Sequence, residues 1–436
     1  MANTQQDILD RLIRAARAAG ADAADALIVG SVSAAVSYRL GKLEDVERSE
    51  SSDLGLRVFV GERVAFVSST DLSTRALDEL PERAVAMAKL APADRLARSF
   101  PALDIEDSLE PPPDLLIERA RAVEGAAMAV PGITNSEGGG ASFGRSAIAL
   151  ATSEGFFGSY AGTSHSVGVA VLAGDGTAME RDYESASARH TDDLESAEEV
   201  GRRAGHRTIS RLNPRKVKTQ DVPVFYDPRV SAGLIGHFAG AISGASIARG
   251  VSFLKDRMGQ QIFAPGINII DDPHRLRGLR SKPFDGEGVR NKRTAFVERG
   301  VLQSWILDCA SAKQLGLATT GHAARGTGGP PSPSTTNLYM EPGVIAPDMI
   351  IDGIKQGFYV TELMGMGVNS VTGDYSRGAS GFWIENSEIA YPVAEVTVAG
   401  NLKDMFLHMT PANDLVFRYG TNAPTILIEG MTVAGA

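Results

Sequence analysis

Apolar and polar residues change their spacing several times along this chain, and each change marks an expected element. Ile8, Leu9, Leu12, Ile13 and Ala16 recur at helical spacing, with Thr4 placed to cap the start and Gly20 to supply a left-handed residue at the end. This predicts an amphipathic first helix. Alternation follows in ADALIVG, AAVSYRLGKLEDVERSE and LGLRVFVGERVAFVSST, the pattern of half-buried strands, with Gly61-Glu62 where a tight hairpin turn would join two of them. Helical spacing returns from Ser73 to Leu90. The acidic, proline-rich FPALDIEDSLEPPPD reads as a connector. Beyond it, a helix beginning near Asp114 and a strand-rich block from about Ser146 to Tyr183 can pack on the same sheet.

In TDDLESAEEVGRRAGHRTISRLNPRK, five acids precede seven Lys and Arg between Arg202 and Lys218. That order complements the dipole of a solvated helix; a basic patch for nucleic acid is the alternative. Near Gln220 the character changes. Glycine becomes more frequent, and the strand DVPVFYDP leads into a stretch without formal charge. Further on come INIIDD, RTAFVERGVLQSWILD with a turn at Arg299-Gly300, and a short helix from Asp308. A Gly/Pro/Ser/Thr loop from Thr319 to Thr336 reads as mobile, either a lid or an idle surface loop. Apolar runs then recur to the end. The expected fold class is α+β: an N-terminal mixed α/β domain over 1–220, divisible into blocks of about 1–110 and 111–220, and a large β-rich domain over 221–436.

Composition narrows the function classes. A chain of 436 residues, 43% of them hydrophobic, can bury a large core, and a formal charge of -10 repels nucleic acid over most of the surface. Its one cysteine, Cys309, allows no internal disulfide, which suits a reducing compartment. The N-terminus lacks a continuous apolar core and carries Asp7 and Asp10, so a cytoplasmic protein is expected. Val230 to Ala248 is uncharged over nineteen residues, but Gly, Ala and Ser dominate it, so a buried helix is expected rather than a membrane span.

That stretch also holds the most informative chemistry. Zinc hydrolysis needs three protein ligands, an open position for water and a carboxylate to take the water's proton. In GLIGHFAGAISGAS, His237 is followed by Phe238 and, one turn on, by Ile242, so a base and a second ligand are both missing. Gly236, Gly240, Gly244 and Ala248 fall four apart and predict a small-residue stripe that a neighbouring backbone, or an extended peptide, approaches closely. The other histidines, at 165, 190, 206, 274, 322 and 408, show no ligand spacing. Asp271 and Asp272 would point to opposite faces of a strand. No nucleophile elbow or phosphate loop occurs. The glycine-rich GMGVNSVTGDYSRGASG offers Gly365, Gly367, Asn369, Asp374 and Arg377 as candidate peptide-lining residues; turns, bulges and a turn salt bridge are the plainer reading.

SFLKDRMGQQIF, INIIDDP, FDGEGV, GVLQSWILDCASAKQLGLATTGHAAR, GVNSVTGDYSRGASGFWIENSEIAYPV and EVTVAGNLKDM, in this order, resemble the TldD/PmbA family, once called modulators of DNA gyrase. The resemblance implies a cytoplasmic heterodimeric metallopeptidase that degrades or matures peptides. In its TldD-type subunit, a His-Glu-x-x-x-His helix and a later cysteine bind the metal. Here only His237 of that helix remains, Phe238 and Ile242 stand at the other positions, and FRYGTNAP lacks the cysteine. These departures are similar to the PmbA subunit, also called TldE. The resemblance therefore implies no catalytic residue and no metal in this chain, zinc in a TldD-type partner, and unfolded peptides as substrates. Self-association into a homodimer stays open for the isolated chain. Two other readings stay open: a self-sufficient metallopeptidase using a site outside the motif, and a regulatory binding protein acting on DNA gyrase.

Overall fold

Alternation over residues 23–60 becomes a hairpin of two very long strands. A computed structural model describes residues 2–61, 63–87 and 100–435. Strands β1 (Ala23–Arg39) and β2 (Lys42–Val60) turn through Leu40 and Gly41, with φ of 47° and 78°, the backbone that a two-residue hairpin of native twist requires. β3 (Arg63–Ser69) pairs with the end of β2, while β4 (Ile133–Thr152), β5 (Phe157–Ala173) and β6 (Glu180–Ala188) extend the sheet from β1. The order is β3-β2-β1-β4-β5-β6, antiparallel throughout, so the blocks on either side of the acidic connector share one sheet.

β4 starts well before the expected Ser146. Its first half reads ITNSEGGGASFG, and three glycines mask the alternation. Packing explains one of them: a Cβ on Gly139 would come within 2.5 Å of the Ala120 carbonyl oxygen. That carbonyl belongs to α3 (Pro113–Met128), which lies with α4 (Ala197–Ser210) over β4 to β6. Ser196 caps α4 by accepting from Glu199 N at 3.2 Å, with Glu198 and Glu199 in the first turn and Arg207 in the last. Helices α1 (Ala2–Ala18) and α2 (Thr74–Met87) cover the other end of the sheet, where Leu9, Leu12 and Leu77 bury against Leu54, Leu56 and Val58. The expected turn residue Glu62 and the expected helix end at Leu90 lie outside the described residues.

From Gln220 onward, β7 (Gln220–Tyr226) leads into α5 (Pro228–Ala241) and the short α6 (Gly244–Ala248). β8 (Ile269–Asp271), β9 (Thr294–Glu298) and β10 (Val301–Leu302) precede α7 (Cys309–Gln314). β11 (Ala323–Ala324), β12 (Ser332–Pro333), β13 (Leu338–Met340) and α8 (Pro347–Ile351) follow. Then come β14 (Gln356–Met364), β15 (Asp374–Glu385), β16 (Glu388–Asn401), α9 (Leu402–Leu407), β17 (Met409–Pro411), β18 (Thr421–Asn422) and β19 (Ile426–Ala434). One sheet runs β10-β9-β8-β13-β18; the other runs β16-β15-β14-β7-β19-β17, and pairing of β16 with β19 closes five of its strands into a ring. Leu234, Ile235 and Phe238 of α5 join one continuous core with Tyr226, Phe263, Trp383 and Phe406.

Two expectations fail here. The uncharged stretch is not one helix. At Ser243 the chain leaves α5 and pairs with the segment before α7, Gly244 N donating to Ile306 O at 2.8 Å and Ile306 N to Ile242 O at 3.0 Å. Nor does the loop from Thr319 to Thr336 carry the marks of a lid. Its β11–β12 ladder, the fully buried His322 and the buried guanidinium of Arg325 on Asp25 of β1 tie it down. Thr327 packs so closely on β2 that a Cβ at Gly55 would lie 2.6 Å from its carbonyl oxygen.

Candidate functional site

Asp227 starts α5 by accepting from Arg229 N at 2.9 Å, and Pro228 supplies the fixed φ that suits a first helical turn. Helical spacing then places Gly233, Gly236, His237 and Gly240 on one face. A Cβ at any of the three glycines would meet nothing within 4 Å, so this face borders open space with the half-buried His237 in its middle. The expected packed stripe through Gly236, Gly240 and Gly244 is therefore not formed: only Gly244, beyond the break, is close-packed, against Leu307 and Ser311. Phe238 and Ile242 are fully buried. The Phe238 ring stands edge-on to Phe263 at 5.2 Å and to Phe406 at 6.3 Å.

Strand β15 brings two further side chains to His237. Tyr375 and Arg377 are two apart and share one face of the strand. The Tyr375 ring lies edge-on to the imidazole at 6.1 Å. Its hydroxyl is buried beside that of Tyr226, which in turn donates to the Met431 sulfur at 3.6 Å. Arg377 donates from Nε to Met364 O at 3.1 Å and forms no ion pair among the described residues. Burial holds the His237 pKa below its ordinary 6.5, and the Arg377 charge lowers it further. The imidazole is thus neutral at pH 7.

The remaining glycine-loop candidates build the tip of the β14–β15 hairpin. Gly365 has φ of 78°, and Gly367 lies against the Ser376 carbonyl, leaving no room for a side chain. The Asn369 Oδ1 accepts from Val371 N at 2.9 Å and Thr372 N at 3.2 Å. Asp374 accepts from Thr372 Oγ1 at 2.5 Å and Asn401 Nδ2 at 3.0 Å, and makes no salt bridge to Arg377. Of the five, Arg377 alone reaches the His237 face. Tyr375 and Tyr226 were not foreseen; the period of two along β15 was the signal available for Tyr375.

Residues 24–88, 106–212 and 219–435 match, in turn, PmbA/TldA metallopeptidase domain 1, the central domain and the C-terminal domain. The chain belongs to the PmbA/TldD family. Metalloprotease PmbA of Escherichia coli O157:H7 is 39% identical over 95% of this chain and 92% of its own length. The PmbA homolog of Haemophilus influenzae is 38% identical over 92% and 89%. A crystal structure of a Bacteroides thetaiotaomicron protein named as a modulator of DNA gyrase superposes with a TM-score of 0.89 at 25% identity, covering 99% of both chains. TldE from Thermococcus kodakarensis shares the fold with a TM-score of 0.85 at 21% identity, covering 98% of this chain and all of that one.

Membership in a metallopeptidase family implies a metal, and the residues around His237 do not fit one. Its neighbours at the ligand and base positions, Phe238 and Ile242, are core side chains, and the nearest charge is the cation of Arg377. A second cation there would be repelled rather than held. The segment FRYGTNAP serves structure instead: Phe417 packs on Tyr339 and under the Arg275 guanidinium, and the Pro424 carbonyl accepts from Ser231 Oγ on α5 at 2.8 Å. Among the described residues no three His, Cys, Asp or Glu are grouped to hold a metal. Two buried histidines meet single carboxylates, His322 with Asp271 at 3.3 Å and His165 with Asp107 at 3.2 Å. Asp272 turns away from Asp271 and accepts from His274 N. Five of the seven basic residues in the segment pair within the fold: Arg202 with Glu199, Arg203 and Arg207 with Glu184, Arg211 with Asp182 and Glu362, and Lys216 with Glu395. Among the described residues no helix is long and apolar enough to cross a membrane.

Proposed function

We propose that this chain is the metal-free, non-catalytic PmbA/TldE-type subunit of a heterodimeric zinc peptidase that acts on unfolded peptides in the cytoplasm, with the zinc and the base supplied by a TldD-type partner. One observation carries the reading. The α5 face that would have to bind a metal offers a single neutral imidazole between glycines, beside an arginine, while the positions that would furnish base and second ligand point into the core. Hydrolysis of a peptide bond by a zinc-bound water needs ligands and a general base that this face does not present. What the face does offer is open space along a helix, into which an extended peptide held by the partner can project.

Co-expression with a TldD-type subunit tests the proposal. The expected product is a stable 1:1 complex carrying about one zinc per heterodimer, with peptide cleavage abolished by chelation. Two zinc ions per heterodimer, or chelator-sensitive cleavage by this chain alone, would overturn it.

A further inference from the structure

We infer that Arg377, Tyr375 and His237 form a carboxylate-binding site that receives the C-terminal carboxylate of a peptide lying along the open face of α5. The inference rests on the proposed peptidase role and adds to it the end of the substrate that this chain recognises.

Three separate features converge. Arg377 is a partly exposed cation whose Nε donates to the Met364 carbonyl and which forms no ion pair among the described residues, so its terminal nitrogens remain for a ligand. A guanidinium lacking an acidic neighbour is open to an anion, and its planar fork matches a carboxylate. Tyr375 is 2% exposed, and the neighbour of its hydroxyl is the phenol of Tyr226 rather than a charged or carbonyl acceptor. A buried hydroxyl favours a strong acceptor over a phenol or a thioether. The Tyr226 hydroxyl beside it is engaged with a sulfur, a weak acceptor. An incoming carboxylate oxygen would be a stronger acceptor for the Tyr375 proton than the neighbouring phenol.

The third feature is access. Tyr375 and Arg377 project from the same face of β15, and the Tyr375 ring touches the imidazole of His237. His237 in turn lies on the α5 face where Gly233, Gly236 and Gly240 leave open space. Side chains at those positions would stand over the approach to His237. With glycine there, a peptide main chain can lie close to the helix and present its terminus to Arg377. The neutral imidazole contributes a hydrogen bond from whichever ring nitrogen carries the proton. The rim is apolar and adaptable: Met364 and Met366, before and within the hairpin tip, are exposed, the latter 94%. Such methionine surfaces accept varied side chains, which suits recognition of an end rather than of a sequence.

The carboxylate could also come from an Asp or Glu side chain within a peptide, and the test separates the two. Fluorescein-labelled hexapeptides, of alanine and serine only, with a free C-terminus or a C-terminal amide, are titrated with the full chain, alone and in its heterodimer, by fluorescence anisotropy. A third peptide carries an internal Asp and an amidated end. The free acid is expected to bind at least tenfold more tightly than either amide, Arg377→Gln to erase that preference, and Arg377→Lys to keep part of it. Tyr375→Phe should reduce the preference several-fold with unchanged circular dichroism. Equal binding of acid and amide, preference for the internal Asp, or no peptide binding at all would overturn the inference. None of these results alters the zinc count of the heterodimer, so the two proposals fail separately.

Discussion

Arg325, carried by the glycine- and proline-rich loop, seats its guanidinium on the buried carboxylate of Asp25 in β1, and so pins the C-terminal half of the chain to the N-terminal sheet. Arg57 shares that carboxylate at 2.6 Å and reaches Glu287 at 3.5 Å, giving two acids and two bases in one nearly dry cluster. Burial alone would raise the Asp25 pKa, but Arg325 and Arg57 outweigh it and hold the group below 3.8. A depressed carboxylate contributes stability above its unfolded pKa and loses it as pH falls through the folded value. Asp25→Ala takes from Arg325 its paired carboxylate and leaves Glu287 as the one acid beside both buried cations, and is expected to cost about 3–5 kcal/mol. Denaturant titration at pH 7 measures this, and a loss below about 1 kcal/mol would contradict the buried cluster.

Glycines in two helices predict opposite outcomes. In α4, a Cβ at Gly201 would collide with the Val123 carbonyl of α3, so Gly201→Ala is expected to destabilise by about 1–3 kcal/mol despite alanine's better helix propensity. In α5, Gly236 and Gly240 face open space, and Gly→Ala there should stabilise by about 0.5–1 kcal/mol each. Thermal melts of the three variants check the signs. Gly236→Ala and Gly240→Ala should also weaken peptide binding, since each added methyl stands beside His237.

How far the sequence reached depends on which forces act locally. The turn at Arg299-Gly300 was legible because both residues need left-handed backbone, and they have φ of 47° and 82°. The helix after Asp308 was legible too, since the cap at Asp308 accepts from Ser311 N three residues on. The start of β4 was not, because its glycines answer to a helix far away in sequence. Likewise the break after Ala241 is made by pairing with Ile306, a partner that no local pattern names. His237 could be singled out by what its neighbours lack. Its association with Arg377 could not, since the two lie 140 positions apart in the sequence and only closure of the ring of strands brings α5 and β15 together.

Titration of His237 follows from that association. Burial and the Arg377 charge both favour the neutral ring, so its folded pKa lies below the unfolded 6.5. A histidine shifted this way contributes stability above pH 6.5 that is lost as pH falls through the folded value. NMR of the imidazole Cε1–H resonances should show a midpoint below 6.5 for His237. In Arg377→Gln the midpoint should rise while staying below 6.5, because burial is the larger cause. An unchanged midpoint in Arg377→Gln would place the arginine elsewhere.

Restoring the missing residues should not restore a metal site. Phe238→Glu would put a carboxylate where Phe263 and Phe406 now pack, and Ile242→His would put an imidazole at a fully buried position in the same core. Removing the Phe238 ring alone costs about 3–5 kcal/mol, and a buried unpaired charge adds to it. The double variant is therefore expected to lose cooperative thermal unfolding rather than to acquire zinc. Isothermal titration with zinc, alongside the melt, decides between the outcomes. A folded double variant with tight, stoichiometric zinc would mean that the α5 face can rotate its base and ligand positions outward, and that a metal is held without the cysteine that FRYGTNAP lacks.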